Sequence, residues 1–101
     1  MTTFTLLSEK EILNYLKQMP EWHVENSELV AEYIFADFRH AMDFITSVAS
    51  EAESLNHHPT WTNTYNCVSF RFSTHDAGNK ITDLDIKMAQ FISNAARHFI
   101  T

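Results

Sequence analysis

The stretch "NSELVAEYIFADFRHAMDFITSVASEAESL", residues 26–55, changes its hydrophobic period part-way along. Before Asp37 the apolar positions alternate, so that Leu29, Ala31, Tyr33 and Phe35 would share one face of a strand. After Asp37, which can cap a helix, apolar residues recur at intervals of three and four, as on one side of a helix. That helical set is Phe38, Ala41, Met42, Ile45, Val48, Ala49 and Ala52. The stretch therefore predicts a strand followed by a long helix.

Upstream of this stretch, the sequence predicts a helix and the first strand of a hairpin. Ser8 and Glu11 have the spacing of a helix capping box, and Pro20 ends the segment. Asn26 and Ser27 form a polar break between two extended runs, which is typical of a hairpin turn. We expect the helix to bury one stripe, made of Ile12, Leu13, Leu16 and Met19.

Downstream, a second pair of strands and a closing helix are predicted. Residues 67–72 alternate apolar and other side chains, and a partner strand is expected across residues 61–64. Thr82 with Asp85 offers a second capping box at the start of the closing helix. The apolar positions are Val68, Phe70 and Phe72 in the strand and Leu84, Met88, Phe91, Ile92, Ala95 and Phe99 in the helix.

The predicted elements follow the order α-β-β-α-β-β-α. Because short links join the strands of each pair, we expect an α+β fold, a four-stranded antiparallel sheet with three helices on one face. With 101 residues, the chain is expected to form a single domain over residues 1–101. The open face and edges of such a sheet favour association with a second subunit.

Composition excludes several classes of function. Thirteen acidic against seven basic residues give a net charge of −6, which argues against direct nucleic-acid binding. The single glycine rules out a glycine-rich phosphate-binding loop. A lone cysteine, Cys67, and the lack of an apolar stretch after a basic start predict a cytoplasmic protein that does not insert into a membrane.

Three of the six histidines, His57, His58 and His75, stand at the ends of predicted elements. Loops held by a rigid scaffold carry many binding and catalytic groups, and the ordinary pKa of imidazole lies nearest neutral pH. Taken singly, a histidine beside a helix end is more often a surface or capping residue, and for His57 alone that interpretation comes first. We expect the remaining histidines on the surface: His23, His40 and His98.

Two kinds of site are compatible with three converging histidines. Three imidazoles and a water form a known zinc site, but adjacent residues rarely present both rings to one metal, and the helical i, i+4 spacing is missing. Without a metal, a neutral and a protonated imidazole act as base and acid on one small substrate. Since Cys67 is interpreted as a packing residue in an apolar strand, the pattern favours dehydration or isomerisation over hydrolysis through a nucleophile.

The two tryptophans, Trp22 and Trp61, also have two interpretations. Large aromatic side chains belong to the core by default. Their positions, beside the first hairpin and beside the histidine pair, make a stacking wall for a flat ring the alternative.

A set of seven residues resembles the signature of the pterin-4a-carbinolamine dehydratases, also called 4a-hydroxytetrahydrobiopterin dehydratases. The resemblance extends over roughly residues 8 to 100. The residues that carry it are Glu53, His57, His58, Pro59, Tyr65, His75 and Asp85.

The resemblance implies a reaction. It is the loss of water from a 4a-hydroxytetrahydropterin, giving the quinonoid dihydropterin in tetrahydrobiopterin recycling, with no metal and no organic cofactor. An acid must protonate the departing C4a hydroxyl and a base must take the N5 proton. Two imidazoles that titrate near neutral pH can supply both groups.

The resemblance also implies roles for the histidines. His57 and His75 would exchange protons with the hydroxyl and the ring nitrogen, and His58 would bind and polarise the substrate. Asn56 stands where some relatives carry an acid. A neutral side chain cannot act on a neighbouring imidazole through charge, so the division of roles between His57 and His58 stays open.

Supporting roles follow from the same resemblance. Asp85 would bind substrate, orient one imidazole or complement the dipole of the last helix. Trp22 would line the pterin pocket, and Glu53 and Pro59 would support the loop.

The family implies a homodimer or a homotetramer. Some animal members that resemble this chain also act as a dimerisation cofactor of a transcription factor. The alternative function is therefore a protein-interaction module, and any effect on transcription would have to run through a protein partner.

Overall fold

The fold was analysed in a computed structural model that describes residues 3–100. Its elements follow the predicted order, with one unpredicted turn of 3-10 helix, η1. The bounds are α1 Glu9–Leu16, β1 His23–Glu25, β2 Glu28–Ile34, α2 Phe38–Leu55, β3 Thr60–Thr64, β4 Cys67–Phe72, η1 His75–Ala77 and α3 Asp83–Ile100. The predicted fold class is confirmed: three helices pack on a four-stranded antiparallel sheet.

The strands lie in the order β1-β2-β4-β3, and every neighbouring pair is antiparallel. Two-residue connections join β1 to β2 and β3 to β4. Asn26 and Ser27, both with positive φ (50° and 63°), form the predicted turn between β1 and β2. Two consecutive residues with positive φ give a turn whose twist matches that of the flanking strands. The strands β1 and β3 are left as the edges of the sheet.

One face of the sheet carries the core. Leu29, Ala31 and Tyr33 of β2 are buried, as predicted, and so are the alternating apolar residues of β4. Phe70 of β4 lies opposite Ala31 on one side and Trp61 on the other. Alternation therefore gave the inward face of both central strands correctly.

The predicted helix caps are present. Ser8 accepts a hydrogen bond from the backbone N–H of Glu11 at 3.1 Å, and the Glu11 carboxylate accepts from the N–H of Ser8 at 2.9 Å. Asp37 caps α2 by accepting from a backbone N–H at 2.8 Å. At α3, Asp85 accepts from the N–H of Thr82 at 2.8 Å. These side chains satisfy N–H groups that the first helical turn leaves without partners.

The predicted apolar stripes of α1 and α2 were partly wrong. Phe44, absent from the prediction, is fully buried, whereas Phe38 and Met42 are 49% and 38% exposed and Ala49 is exposed. At about 100° per residue, the exposed three lie on the flank beside the buried stripe. Leu13 of α1 is likewise 57% exposed, because only a narrow side of that short helix touches the core.

The long helices α2 and α3 pack against each other and against the sheet. Half-buried residues of α1, Ile12 and Leu16, pack against the same core. Within residues 3–100, no helix combines the length and apolar character that a membrane crossing requires. This arrangement brings the end of α2, the end of β4 and the start of α3 to one corner of the molecule.

Candidate active site

The end of α2 fixes the position of His57. Asn56 caps the helix in the left-handed conformation (φ 51°, ψ 43°), and the N–H of His57 donates to the carbonyl of Ala52 at 3.0 Å. This pattern ends a helix sharply, and asparagine tolerates the left-handed region better than most residues. Pro59 follows and is buried. Asn56, which stands where some relatives carry an acid, thus suits the left-handed conformation of the helix cap. Pro59 has a structural role.

His57 is anchored to Asp85 of α3. Its Nε2 lies 2.6 Å from Asp85 Oδ1, with the side chains 11% and 0% exposed. The imidazole also meets Phe72 edge-on, with ring centroids 6.3 Å apart. A carboxylate hydrogen-bonded to an imidazole fixes the orientation of the ring. The structure therefore supports the orienting role for Asp85.

Asp85 is also buried too deeply to contact a substrate. Its second oxygen, Oδ2, accepts from the N–H of Thr82 and the hydroxyl of Thr74, both at 2.8 Å. With no exposed surface left, the prediction that Asp85 binds substrate does not fit this geometry. Any effect of Asp85 on the substrate has to pass through the side chains that it bonds, His57 and Thr74.

His58 has a different partner from His57. Its Nε2 lies 2.9 Å from Oε1 of Glu53, and the two side chains are 61% and 81% exposed. Glu53 thus supports the His58 side chain itself. Because the pair is exposed, the contact restrains the ring only weakly.

His75 reaches the same corner from the other side, in the turn η1. Its Nδ1 lies 3.2 Å from the side-chain oxygen of Asn79. The loop is closed by the N–H of Thr74, which donates to the carbonyl of Lys80 at 2.9 Å. His75 is exposed, so its ring is open to a ligand.

The three histidines line one pocket of about 290 Å³. The structure therefore brings together the residues that the sequence singled out, although their catalytic roles stay a prediction. The other lining residues are Phe4, Asn56, Ser73, Thr74, Asp76 and Leu84. The remaining histidines, His23, His40 and His98, do not line this pocket.

Phe4 is a pocket residue that sequence reasoning missed. The N-terminal segment is held against α3 by Thr5, whose N–H donates to Asp83 Oδ1 at 2.7 Å and whose carbonyl accepts from the Asp83 N–H at 3.1 Å. Leu6 pairs with Thr82 in an isolated bridge. No periodic pattern marks these residues, and their partners lie far along the chain, so no local signal could place Phe4 here.

Trp22 does not line this pocket, because the structure buries it in the core. It is 3% exposed, and its Nε1 donates to the hydroxyls of Tyr33 and Ser93, both at 2.9 Å. Burial raises the pKa of Tyr33, which keeps the phenol neutral in this cluster. Of its two interpretations, packing fits Trp22, and we do not include it among the proposed substrate contacts.

Trp61 and Tyr65 lie outside the pocket of His57, His58 and His75. Trp61, half-buried on β3, packs near Phe70 with ring centroids 6.4 Å apart. Tyr65 stands 63% exposed in the turn between β3 and β4, at the opposite end of these strands. Neither residue lines the histidine pocket.

Neither a metal cluster nor a reactive thiol was found near the histidines. Within residues 3–100, no three His, Cys, Asp or Glu side chains form a group that could hold a metal ion. Partial burial, and then the Glu32 carboxylate, raise the pKa of the Cys67 thiol. A thiol with a raised pKa carries little thiolate at neutral pH, which makes Cys67 a poor nucleophile.

Comparison with known protein families shows which family the chain belongs to. The model of the family described as pterin 4 alpha carbinolamine dehydratase matches residues 5–95. The chain belongs to this family. The predictions of family and of enzyme class, a hydro-lyase, are therefore confirmed.

Individual relatives agree. The chain is 43% identical over 86 residues to a candidate pterin-4-alpha-carbinolamine dehydratase of Opitutus terrae, which covers 85% of this chain and 89% of the relative. It is 48% identical over 85 residues to a candidate enzyme of the same name from Solibacter usitatus, covering 84% and 88%. The similarity spans nearly the whole of each protein.

A solved structure shows the same fold. The crystal structure of a transcriptional coactivator/pterin dehydratase from Brucella melitensis superimposes with a TM-score of 0.85 at 35% sequence identity. The match covers 91% of this chain and 99% of that protein.

Proposed function

We propose that this dehydratase removes water from 4a-hydroxytetrahydrobiopterin by metal-free acid–base catalysis with His57 and His75. The observation that carries the proposal is the shared pocket, in which a partly buried, anchored imidazole stands with an exposed one. Two imidazoles in different surroundings suit two opposite proton transfers.

The proposed reaction moves two protons and breaks one C–O bond. One imidazole, as imidazolium, gives its proton to the C4a hydroxyl, and the C–O bond breaks to release water. The other imidazole takes the proton from N5, and the electron pair of the N–H bond forms the new double bond of the quinonoid dihydropterin. His58, held by Glu53, would bind and polarise the substrate from the rim of the pocket.

The flat pterin ring needs an apolar wall as well as polar groups. In this pocket Phe4 is half-buried and Leu84 is 6% exposed. We propose that these two side chains supply the contact earlier assigned to Trp22. Aromatic rings pack favourably against flat heterocycles.

We expect purified protein to accelerate the dehydration of synthetic 4a-hydroxytetrahydrobiopterin, followed by the absorbance of the quinonoid product. The rate should be unchanged after treatment with a chelator, because imidazoles supply both protons. A His98→Ala variant serves as a matched control, since His98 lies on the exposed end of α3, away from the pocket. Absence of acceleration by the wild-type protein would refute the proposed activity.

We further propose that the enzyme acts in tetrahydrobiopterin recycling in the cytoplasm. Support comes from the single cysteine, which suits a reducing compartment, and from the substrate itself. Fractionation of cells that express the protein at its natural level would test the location.

We infer that the enzyme is a homodimer or a homotetramer. On α2, Phe38, Met42 and Ala49 form an exposed apolar flank, and β1 and β3 leave two free sheet edges. Sedimentation equilibrium is expected to give two or four times the mass of one chain, and a Met42→Glu variant should lower it. A monomeric wild-type protein at micromolar concentration would contradict this inference.

The alternative, an interaction module, is favoured by one finding only. The Brucella melitensis relative is described as a transcriptional coactivator as well as a pterin dehydratase. The apolar flank of α2 is the surface that such a partner would use, and binding there should survive replacement of all three pocket histidines. Loss of that binding in the triple variant would exclude a separate interaction surface.

A further inference from the structure

Two buried threonines stand behind the anchor of His57. Thr74 and Thr82 are 4% and 0% exposed, and their hydroxyl oxygens lie 2.6 Å apart. Thr74 is also bonded to Asp85 Oδ2 at 2.8 Å. Thr82 Oγ1 accepts from the N–H of Leu84 at 3.3 Å. Besides capping α3, the cluster bonds Oδ2 of Asp85, the carboxylate oxygen that His57 does not use.

The direction of each hydrogen bond follows from the donors available. A threonine hydroxyl has one proton, and Thr74 gives its proton to the Asp85 carboxylate, which can only accept. The bond between the two threonines must therefore be donated by Thr82. With the N–H of Thr82 as a second donor to Oδ2, the threonine side offers Asp85 donors only.

This polarity determines where neutral His57 keeps its proton. Because both carboxylate oxygens act as acceptors, the bond at 2.6 Å is donated by Nε2–H of His57. Within the described residues, no buried side-chain nitrogen lacks a partner, so Nδ1 of His57 is either accessible or bonded. Among the side-chain bonds of residues 3–100, His57 is bonded through Nε2, and because His57 lines the pocket, Nδ1 is the ring nitrogen left for a ligand there.

We propose that Thr74 and Thr82 fix the Asp85 carboxylate so that His57 stays in the Nε2–H tautomer and exchanges its proton with the substrate through Nδ1. The part concerning the substrate rests on the proposed function. Thr74 lines the pocket, but its hydroxyl is bonded to Asp85 and Thr82, so in this scheme it is a positioning residue that acts through Asp85 and His57.

The tautomer is tested directly by ¹⁵N NMR of the histidine side chains, at a pH where the imidazoles are neutral. In the wild type, Nε2 of His57 should carry the proton. In Asp85→Asn, the amide oxygen should turn toward Thr74 and Thr82, which offer only donors, so that the amide N–H₂ faces Nε2 and moves the proton to Nδ1. Asp43→Asn, the same change on the exposed side of α2, should leave His57 as it was.

A wild-type spectrum with the proton on Nδ1 overturns the proposal, whether or not Asp85→Asn folds. An unchanged tautomer in folded Asp85→Asn also overturns it. Because neither result depends on turnover, failure of the tautomer and failure of the dehydration activity are separate outcomes.

Kinetics test the role of Thr74. Thr74→Val should lower kcat about 10- to 100-fold, the loss typical when an outer hydrogen-bond partner of a metal-bound histidine is removed, with a smaller change in KM. Thr74→Ser keeps the hydroxyl and should restore kcat, and Thr62→Val on the exposed side of β3 is the matched control. A Thr74→Ser variant as slow as Thr74→Val, or a Thr74→Val variant as fast as the wild type, refutes the positioning role.

Discussion

Replacing His57 by alanine is expected to lower kcat for dehydration about 10²- to 10⁴-fold, the usual contribution of one general acid or base. The anchored ring is lost, and Asp85, which has no exposed surface, is left without this partner. The variant should therefore also be less stable, since a buried acceptor without its donor is unfavourable. Stopped-flow absorbance measures the rate, and circular dichroism confirms that the protein stays folded.

His75→Ala separates catalysis from stability. His75 is exposed and has only a weak contact with Asn79, so its loss should slow the reaction without unfolding the protein. The control is His23→Ala, an exposed histidine of β1 that does not line the pocket. If His75→Ala and His57→Ala both retain the full rate, acid–base catalysis by these residues is excluded.

The largest loss of stability is expected for Phe70→Ala, at about 3–5 kcal/mol in the free energy of unfolding. Phe70 is 1% exposed and lies at the centre of the aromatic core. Its ring centroid is about 6 Å from those of Trp22, Tyr33, Phe44 and Trp61. Truncation leaves a cavity that so many rigid rings cannot close.

Urea denaturation at fixed protein concentration measures this loss, since an oligomer makes the midpoint depend on concentration. Leu13→Ala, on the exposed side of α1, should change the free energy by no more than about 0.5 kcal/mol. A cost for Phe70→Ala as small as that of Leu13→Ala would mean that the core does not depend on this ring.

The sequence determined some of these features locally, and those were predictable. The alternation around Phe70 and the caps Ser8 and Asp37 each depend on a few neighbouring residues. The placement of His57 and His75 in one pocket was also predictable. Both stand at element ends that an antiparallel strand order brings to the same side of the sheet.

Other features depend on contacts between distant segments. Phe4 enters the pocket only because Thr5 pairs with Asp83. Thr74 matters only once Asp85 lies beside it. Trp22 was compatible with two environments, and only the placement of Ser93 and Tyr33 selects the core. The three- and four-residue intervals between apolar residues likewise could not distinguish the buried side of α2 from its exposed flank.

The polar cluster around Ser93 has a consequence for the distant pocket. Ser93 and Asp85 lie on the same helix, α3, eight residues or about 12 Å apart along its axis. Rotation or sliding of α3 would carry both side chains, so moving Asp85 away from His57 would also break the bonds of Ser93 to Trp22 and Tyr33. Hydrogen bonds at two positions on α3, Asp85 and Ser93, therefore oppose both rotation and sliding of the helix, and so hold the carboxylate in place beside His57.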